Sequence, residues 1–575
     1  MTRGAPPVSV ERGGLIPTRW DALAVLLVLG LATFLAHTSR DLLQPLEALQ
    51  ETPISLDPTF LPEYAARTTL RMLAAMLLSL LFTFTYAAAA AKSRRAELVL
   101  IPVLDILQSV PILGFISITI VFFMSLAPGL ILGAEFAAIF AIFTSQAWNM
   151  AFSFYQSLRT VPEELIEATR CFHFSPWMRF WRVEVPFAMP ALVWNMMVSM
   201  SGGWFFVVAS EAITVGNTTV TLPGVGSYIA VAIAQRDTTA IGWAIGIMLV
   251  VILLYDQLLF RPLVAWADRF RFEQEPGVAP PRSWVLSTLR RSRLVARLVA
   301  PFAAAWRWTY RLRPSLTGFK RRALDVPARL GDAVWLVLII GLCGLALWNI
   351  WQFILQDLAP AEVATAFGLG ALTMARVVIL IALASLIWVP IGVWIGMRPP
   401  IARLVQPIAQ FMAAFPANVL FPLAVWWIVT FRLDPDIWLS PLMILGTQWY
   451  ILFNVIAGAS ALPSDLRLAS ANLGVRGWLW WRKVALPGVF PYYVTGAITA
   501  SGGSWNASIV AEVATWGDQR LQAQGLGTYI ARATEAGDFR RIMLGIAVMS
   551  LFVVAFNRAF WRPLYRYAER RYRLG

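Results

Sequence analysis

Side chains that commonly carry out covalent catalysis or bind metal ions are scarce in this chain of 575 residues. Disulfide frameworks, zinc sites and haem attachment require several cysteines or histidines at short, characteristic spacings. The chain has only two of each, at Cys171, Cys343, His37 and His173. The sequence therefore predicts no disulfide framework and no zinc or haem centre.

Lysine, which contacts nucleotide phosphates in a P-loop, occurs only at Lys92, Lys320 and Lys483. A P-loop requires a glycine directly before its lysine and a serine or threonine directly after it. No glycine immediately precedes any of the three lysines. We therefore expect this chain to bind no cofactor and to hydrolyse no ATP, so that it is not an enzyme in its own right.

The most informative pattern is a polar loop that occurs twice. Pro162–Pro186 aligns without a gap with Pro463–Pro487, at an offset of 301 residues (463 − 162). The same register continues downstream through matched tryptophan, glutamate, glycine and tyrosine positions. Upstream, Thr68 aligns with Thr373 at an offset of 305 (373 − 68). A parallel duplication in an apolar chain predicts two equivalent halves around one shared path.

Composition identifies the elements that must position this loop. The chain is 58% hydrophobic and 14% charged, with a mean hydropathy of +0.66, which is typical of multi-spanning helical membrane proteins. Apolar runs near the ~20 residues needed to cross a bilayer predict six spans per half, about 12 in all. They lie near 21–37, 68–91, 97–125, 131–157, 185–213 and 240–260, then near 332–354, 369–397, 404–431, 438–457, 485–514 and 539–561.

The net charge of +15 does not indicate nucleic-acid binding, because the basic residues are confined to one set of predicted loops. With the spans above, every basic cluster falls on the same side of the membrane. This is the positive-inside pattern, which predicts a multi-pass protein of the bacterial cytoplasmic (inner) membrane, surrounded by lipid, with both termini and both repeated loops in the cytoplasm. The clusters lie at 92–95, 159–182, 261–329, 398–403, 467–483 and 562–573.

The domain organisation follows from these spans. We predict a cytoplasmic tail at 1–20, a first half at 21–260, a basic cytoplasmic linker at 261–331 and a second half at 332–575. The central linker stretch, 289–299, mixes arginine with aliphatic residues at helical spacing. Two interpretations remain open for it, a basic amphipathic helix on the inner leaflet or a plain tether.

The repeated loop resembles the EAA loop of binding-protein-dependent ABC importers, whose pattern is E-A-A-x3-G-x9-I-x-L-P. In that family the loop is a coupling helix that fits a groove on the ATPase. A short helix held between two long membrane helices can pass rigid-body motion to the bundle. Identical or similar residues stand at Glu167, Ala168, Thr169, Val183, Val185 and Pro186 in the first half, and at Ala469, Gly474, Val484, Leu486 and Pro487 in the second.

Two departures from this pattern lead us to expect differences between the two loops. His173 stands where the pattern has glycine, which could prevent the usual tight turn. Leu468 stands where it has glutamate, which removes a possible ion pair with the ATPase. We therefore expect the two docking sites to differ in strength, and we include His173 among the coupling residues.

Downstream, both halves look like the nitrate/sulfonate/taurine/bicarbonate branch of these permeases, with an aromatic residue in the fifth helix and a glycine-rich start to a short external helix. The resemblance implies an all-α integral membrane protein with two parallel six-helix halves of the type I importer permease fold. It further implies two ABC ATPase subunits that bind ATP and Mg, and a periplasmic or lipoprotein substrate-binding protein. It implies a small anion as substrate without identifying which one.

Glu211 and Glu512 admit two interpretations within that fold. As intramembrane acids they either line or gate the outer mouth, or they pair with Arg71 or Arg376 or cap the following turn. Because carboxylates repel an anionic substrate, we favour the structural interpretation. For the two arginines, attraction of anions near the outer face and snorkelling to the interface remain open.

Five further polar residues lie on helices expected to border the path. Amide and indole donors can replace the hydration shell of an anion without a full charge, although most of the 26 tryptophans should serve packing or the membrane interface. These translocation-path candidates are Gln146, Trp204, Gln448, Trp505 and Asn506.

The main alternative is an ion-coupled secondary transporter, because twelve spans in two parallel halves also describe the major facilitator architecture. That class carries a basic G-x3-D-[RK]-x-G loop between its second and third spans. The corresponding turn here, AKSRRAE at 91–97, contains no glycine. A membrane enzyme or scaffold has no cluster of histidine, cysteine and acidic residues to support it.

Overall fold

The computed structural model describes residues 54–109, 112–215, 218–270, 283–310, 358–460 and 462–572, with isolated residues between 337 and 352. The predicted tail at 1–20 and the predicted span at 21–37 lie outside the described residues, as does most of the span at 332–354. The rest of both halves and much of the linker can be compared with the sequence.

Helices dominate both halves and the described part of the linker. The first half contains α1 (Leu61–Phe82), α2 (Ala88–Lys92), α3 (Arg94–Ser109), α4 (Ile112–Leu126), α5 (Ile131–Arg159), α6 (Glu163–Cys171), α7 (Pro176–Arg179), α8 (Val185–Glu211), α9 (Val225–Ala234), α10 (Thr238–Tyr255) and α11 (Arg261–Ala267). The linker contains α12 (Trp284–Arg291) and α13 (Arg293–Thr309).

The second half follows a similar order, except that one long helix stands where α1 and α2 do and that three helices make up its fourth span. Its helices are α14 (Pro360–Gly396), α15 (Pro399–Ala414), α16 (Phe421–Thr430), α17 (Pro435–Trp438), α18 (Leu442–Leu445), α19 (Gln448–Ser460), α20 (Ser464–Asn472), α21 (Gly477–Trp480), α22 (Leu486–Ala511), α23 (Leu526–Glu535), α24 (Phe539–Phe556) and α25 (Arg562–Tyr572).

Helix starts follow local sequence signals. The Ser175 hydroxyl accepts the backbone N–H of Met178 at 3.1 Å, and Pro176 occupies the first position of α7, where its missing N–H is harmless. The Asp538 carboxylate likewise accepts the N–H of Arg541 at 3.1 Å at the start of α24. These caps satisfy donors that the helix itself leaves unpaired.

Six helical segments of the described chain are long and apolar enough to cross a membrane, or seven if a bent pair counts as one span. The six segments coincide with six of the predicted spans, and the bent pair coincides with a seventh. The fifth span of the second half, predicted at 485–514, forms the 26-residue helix α22 but is less apolar. The six are Pro58–Lys92, Ile131–Arg159, Pro176–Glu211, Thr238–Phe270, Pro360–Gly396 and Phe539–Ala568, and the bent pair is Pro435–Leu445 with Gln448–Ser460, at 43°.

The third span of the second half is broken, so the prediction of one span at 404–431 was wrong. In the first half α3 ends at Ser109 and α4 begins at Ile112, and the two residues between them, within the span predicted at 97–125, lie outside the described residues. In the second half Pro416 follows α15, and a short 3₁₀ turn leads into α16. Proline lacks an N–H donor and disfavours helical geometry in the preceding residue, which accounts for this break.

A β-hairpin follows the fifth helix of each half, a feature that the sequence reading missed. β1 (Ala212–Val215) pairs antiparallel with β2 (Thr218–Thr221), and β3 (Val513–Trp516) pairs antiparallel with β4 (Gln519–Gln522). Each four-residue strand is short, so the fold remains essentially all-α. The hairpins nevertheless matter, because each places a glycine-rich turn next to the end of the fifth helix.

The structure divides into two compact units. The smaller comprises Pro162–Pro190 and the described part of Asp256–Arg321, so it contains the first repeated loop and the linker helices. The larger contains the described remainder of both halves. Within the larger unit, α1 packs on α5, and α19 packs on both α14 and α22.

Side chains from both halves form one continuous core in the larger unit. Ala137 and Phe206 of the first half belong to the same buried cluster as Val425, Val494 and Trp505 of the second. Burial of apolar side chains contributes about 25 cal/mol per Å² of area removed from solvent. The two halves are therefore held together by packing as well as by their covalent linker.

Candidate coupling and translocation sites

The fifth helix of each half ends in a buried glutamate held by equivalent contacts. Glu211 Oε1 accepts bonds from Thr68 Oγ1 and Arg71 Nη1, both at 2.7 Å, and its Oε2 accepts the N–H of Gly226 at 2.7 Å. Glu512 Oε1 accepts the hydroxyl of Thr373 at 2.8 Å. In the first half α1 is therefore bonded to the end of the fifth helix, and in the second half α14 is bonded to the end of the fifth helix in the same way.

The glycine-rich turn after each hairpin makes room for this carboxylate. A Cβ atom at Gly224 would overlap the carboxylate of Glu211, and one at Gly525 would overlap that of Glu512. Any side chain at these positions would displace the carboxylate from its hydrogen-bond partners. The repeated G-x-G pattern is thus explained by close approach between the turn and the glutamate.

Arg71 is enclosed by two carboxylates. Its Nε and Nη2 donate to the two oxygens of Glu135, each at 2.6 Å, and its Nη1 donates to Glu211 and, at 3.0 Å, to the carbonyl of Pro223. The side chain is only 3% exposed. Every nitrogen of this guanidinium is engaged, which favours a structural role over that of a free anion attractor.

Arg376 forms a looser version of the same cluster. It bonds Asp436 at 3.2 Å, lies 3.6 Å from Glu512, and donates to the carbonyl of Gln524. Asp436 is 42% exposed, whereas Glu135 is buried. We call the group around Glu211 the first clamp (Thr68, Arg71, Glu135, Glu211) and its counterpart the second clamp (Thr373, Arg376, Asp436, Glu512).

Sequence reasoning missed the third member of each clamp. Asp436 and Glu135 are separated by the same 301 residues (436 − 135) that relate the repeated loops. That register was the signal that could have paired them. It was overlooked because the two residues differ in type and lie upstream of the loop.

The predicted path candidates are buried at Gln146, Trp204 and Trp505 and partly buried at Gln448 and Asn506. Trp204 and Trp505 are both almost fully buried, and the indole N–H of Trp505 has no hydrogen-bond partner in the described structure. Gln146 is buried and accepts a long bond of 3.5 Å from Ser79. Gln448 accepts the indole N–H of Trp388 at 2.9 Å. Whether any of these side chains contacts substrate remains a prediction.

Asn506 makes a contact between the two halves. Its Oδ1 accepts the backbone N–H of Ile112 at 2.7 Å, and its Nδ2 donates to the carbonyl of Gly502 at 3.2 Å. The first N–H groups of a helix have no partner within the helix, so Asn506 supplies one for α4 from across the pseudo-symmetric boundary. Both polar atoms of its amide are thus already used in this conformation.

The two coupling loops form the same turn despite their different sequences. His173 has a φ of 53° and Gly474 a φ of 64°, so both lie in the left-handed region. The following bonds also match: Phe172 N donates to Ala168 O at 3.1 Å, and Leu473 N donates to Ala469 O at 3.0 Å. The expectation that His173 could prevent this turn was therefore wrong. The histidine forms the turn in a conformation that costs roughly 1–2 kcal/mol outside glycine.

Replacing His173 with glycine is expected to stabilise the first loop by roughly 1 kcal/mol, because glycine reaches positive φ without steric cost. The measurement is protection of loop amides from hydrogen exchange in the purified protein. Gly474→Ala, the matched change in the second loop, should reduce protection there. Equal protection in all three proteins would contradict this reading of the turn.

The coupling-loop residues separate into an exposed tip and a buried base. Phe172 is 74% exposed and Leu473, its match at offset 301, is 79% exposed. The two loops therefore expose a large apolar side chain at the same position of the repeat. Neither residue was among the predicted coupling residues, which are exposed at Glu167, Ala168, His173, Ala469 and Gly474, partly buried at Val183, Pro186 and Pro487, and buried at Val484.

The linker helix α13 packs on the first coupling loop within the smaller unit. The Trp306 ring centroid lies 4.9 Å from that of Trp181, and Trp177 Nε1 donates to Thr309 Oγ1 at 3.2 Å. Trp177 is consequently 36% exposed, whereas its counterpart Trp478 is 75% exposed. The sequence left the linker open between helix and tether, and the structure shows a helix whose arrangement makes the two loops unequal.

Comparison with known proteins identifies the family to which this architecture belongs. The profile of the family described as "Binding-protein-dependent transport system inner membrane component" matches residues 64–265 and again 388–574. The nitrate import permease protein NrtB of Leptolyngbya laminosa is 26% identical over 187 residues, which is 32% of this chain and 63% of that protein.

Two further relatives show the same partial coverage. The bicarbonate transport system permease protein CmpB of Synechococcus elongatus is 26% identical over 165 residues, 29% of this chain and 56% of that protein. The taurine transport system permease protein TauC of Escherichia coli is 25% identical over 182 residues, 32% of this chain and 62% of that protein. The chain therefore spans less than two thirds of the length of these relatives. Because the family profile matches twice and covers most of the sequence, this chain belongs to the binding-protein-dependent transport system inner membrane components, as a permease with two halves in one polypeptide.

Proposed function

We propose that this protein is the transmembrane permease of an ATP-driven importer for a small anion, with both halves of the translocation path in one chain. The observation that carries the proposal is the pair of coupling loops. They share a turn geometry, and each exposes a large apolar side chain at the matched tip position, Phe172 or Leu473. A pair of matched, exposed apolar tips suits two grooves on a partner.

The partners follow from the chain's own composition and from its family. The chain lacks a P-loop, so two separate ABC ATPase subunits would bind ATP and Mg and receive the two coupling loops. A substrate-binding protein, periplasmic or lipid-anchored, would deliver substrate at the opposite face. The positive-inside charge pattern supports an inner-membrane orientation with the loops and both termini in the cytoplasm.

The clamps have a mechanical role in this proposal. Each joins the first described helix of a half to the far end of its fifth helix through buried, charge-assisted bonds. The coupling loop directly precedes the fifth helix in the sequence, so force from the loop acts on the start of that helix. Because the clamp holds the other end, the helix would rotate as a rigid rod. Motion from the ATPases would thereby reach the outer end of the bundle instead of being lost to local bending.

An anionic cargo is supported by chemistry shared among the relatives' substrates. Nitrate and bicarbonate are anions, and taurine carries a sulfonate, which are the substrates named for three similar permeases. The clamps pair their carboxylates with an arginine and bond Glu211 and Glu512 to hydroxyl or amide donors. These acids would therefore repel a passing anion less than free carboxylates would.

Reconstitution tests the proposal against the secondary-transporter alternative. Proteoliposomes would contain the permease with its co-purified ATPases and ATP inside, and uptake of nitrate, bicarbonate and taurine would be measured with binding protein present. We expect uptake that requires internal ATP and persists when ionophores collapse the ion gradients. Uptake that survives ATP removal and disappears with the gradients would replace this proposal with the ion-coupled carrier.

A further inference from the structure

The second half contains a cavity of about 440 Å³ where β4, α23 and the starts of α14 and α24 meet. This volume falls in the range of roughly 300–1,000 Å³ that small-molecule sites occupy. Its walls combine apolar and cationic groups, and no aspartate or glutamate is among the described residues that line it. The principal lining side chains are Leu369, Gln522, Gln524, Tyr529, Arg532 and Arg541.

Arg532 supplies the cavity with an uncompensated cation. Its Nε donates to Gln522 Oε1 at 2.8 Å and its Nη2 donates to the same oxygen, and no carboxylate pairs with it among the described residues. A neutral amide oxygen satisfies two donors but leaves the positive charge in place. The planar guanidinium fork matches the two oxygens of a carboxylate or sulfonate, which would bind it more strongly than the amide does.

The second cation is fixed by its own ion pairs. Arg541 bonds Glu362 at 2.6 Å and Asp538 at 3.1 Å. Tyr529 donates its phenol proton to the same Glu362 at 3.1 Å, and burial together with that carboxylate raises the pKa of Tyr529, so the phenol stays protonated. This network holds Arg541 and the tyrosine ring rigidly in the cavity wall.

The first half provides an internal comparison for this site. At the offsets of the repeat, Val231 stands for Arg532 (532 − 231 = 301) and Ala240 for Arg541, so neither cation is present. Tyr64 stands for Leu369 (369 − 64 = 305) and is buried, with its ring centroid 6.2 Å from that of Tyr228. The first half therefore has an aromatic ring at the position where the second half has a leucine. The cationic lining thus belongs to the second half and is not a general consequence of the fold.

We propose that this cavity binds an organic anion, with a carboxylate or sulfonate head on Arg532 and an apolar body against Leu369 and the ring of Tyr529. The inference rests on the proposed function in one respect, because the import orientation would place the cavity on the side from which substrate arrives. It also names the substrate class. A space of about 440 Å³ with apolar walls is far larger than nitrate or bicarbonate requires, so an organic sulfonate or carboxylate suits it better.

Equilibrium dialysis of radiolabelled benzenesulfonate against the full chain in phosphatidylcholine nanodiscs tests this site. We expect saturable binding of one anion per chain, and no comparable binding of the neutral isostere benzenesulfonamide. Arg532→Gln removes the charge, and Leu369→Tyr introduces the residue of the first half. Each should weaken binding by about tenfold or more, which is the usual effect of losing one charge-assisted bond or the space for the ligand.

Arg520→Gln is the matched control, because Arg520 carries the same charge, pairs with Glu535 at 2.7 Å and does not line the cavity. It should bind as the unmodified protein does. Thermal unfolding identifies any variant that fails to fold. If Leu369→Tyr fails to fold, Arg532→Gln still tests the site. Absence of saturable binding in the unmodified protein, or equal affinity in Arg532→Gln, overturns the site. Because neither ATPase nor binding protein is present, these outcomes are independent of whether transport is ATP-coupled.

Discussion

Replacing Phe172 and Leu473 together with aspartate is expected to abolish stimulation of the ATPases by substrate-loaded binding protein. Each side chain is a large apolar group at the tip of a coupling loop, and each is more than 70% exposed in the isolated chain. Burial of such a side chain in a partner groove contributes about 1.5–3 kcal/mol, and a carboxylate there adds a desolvation cost. Two such losses reduce docking by several orders of magnitude.

The reciprocal exchange Phe172→Leu with Leu473→Phe is the control, because it keeps an apolar tip on both loops. ATP hydrolysis by the reconstituted complex is the measurement, with co-purification of the ATPases as a second readout. The exchange should retain stimulation, and each single aspartate variant should fall between the extremes. Full stimulation in the double aspartate variant would remove the loops from the coupling mechanism.

The single variants also report on the inequality of the two loops. Linker helix α13 packs on the aromatic side of the first loop through Trp306, while Trp478 of the second loop stays largely exposed. A loop supported on one side loses less conformational freedom when it docks. This support and the altered E-A-A pattern together favour docking sites of different strength, as the sequence departures suggested.

Replacing Arg71 with leucine is expected to destabilise the protein by about 3–5 kcal/mol, the usual cost of removing one partner from a buried ion pair. Glu135 and Glu211 would be left without their shared cation, and both side chains are buried. Arg376→Leu should cost less, because Asp436 is 42% exposed and can be hydrated when its partner is lost. Thermal unfolding of the purified protein measures both effects.

A compensated variant serves as control for the first clamp. Arg71→Leu combined with Glu135→Leu and Glu211→Gln removes all three charges, so it should recover much of the lost stability. Arg71→Lys should not, because an ammonium cannot reproduce the bidentate contact with Glu135. Equal unfolding temperatures for Arg71→Leu, Arg376→Leu and the unmodified protein would show that the clamps do not hold the helices.

Much of this architecture was predictable because it depends on properties that run along the chain. The coupling loops were located through the 301-residue register, and both form the same sequence of short helix, left-handed residue and second short helix. Span positions were predicted where an apolar run forms one helix. Prediction failed at 404–431, because the apolar composition gave no sign that Pro416 interrupts the helix.

The sequence by itself determined that this is a duplicated membrane protein with two coupling loops, because repeat register and apolar length are recorded residue by residue. Only the tertiary structure decided which charges meet. Arg71 contacts Glu135 and Glu211, which are 64 and 140 residues away in sequence, and Asn506 of one half caps a helix of the other. The tertiary structure also placed Arg532 in the lining of a cavity in the second half. Such contacts depend on the distances between packed elements, which linear spacing does not specify.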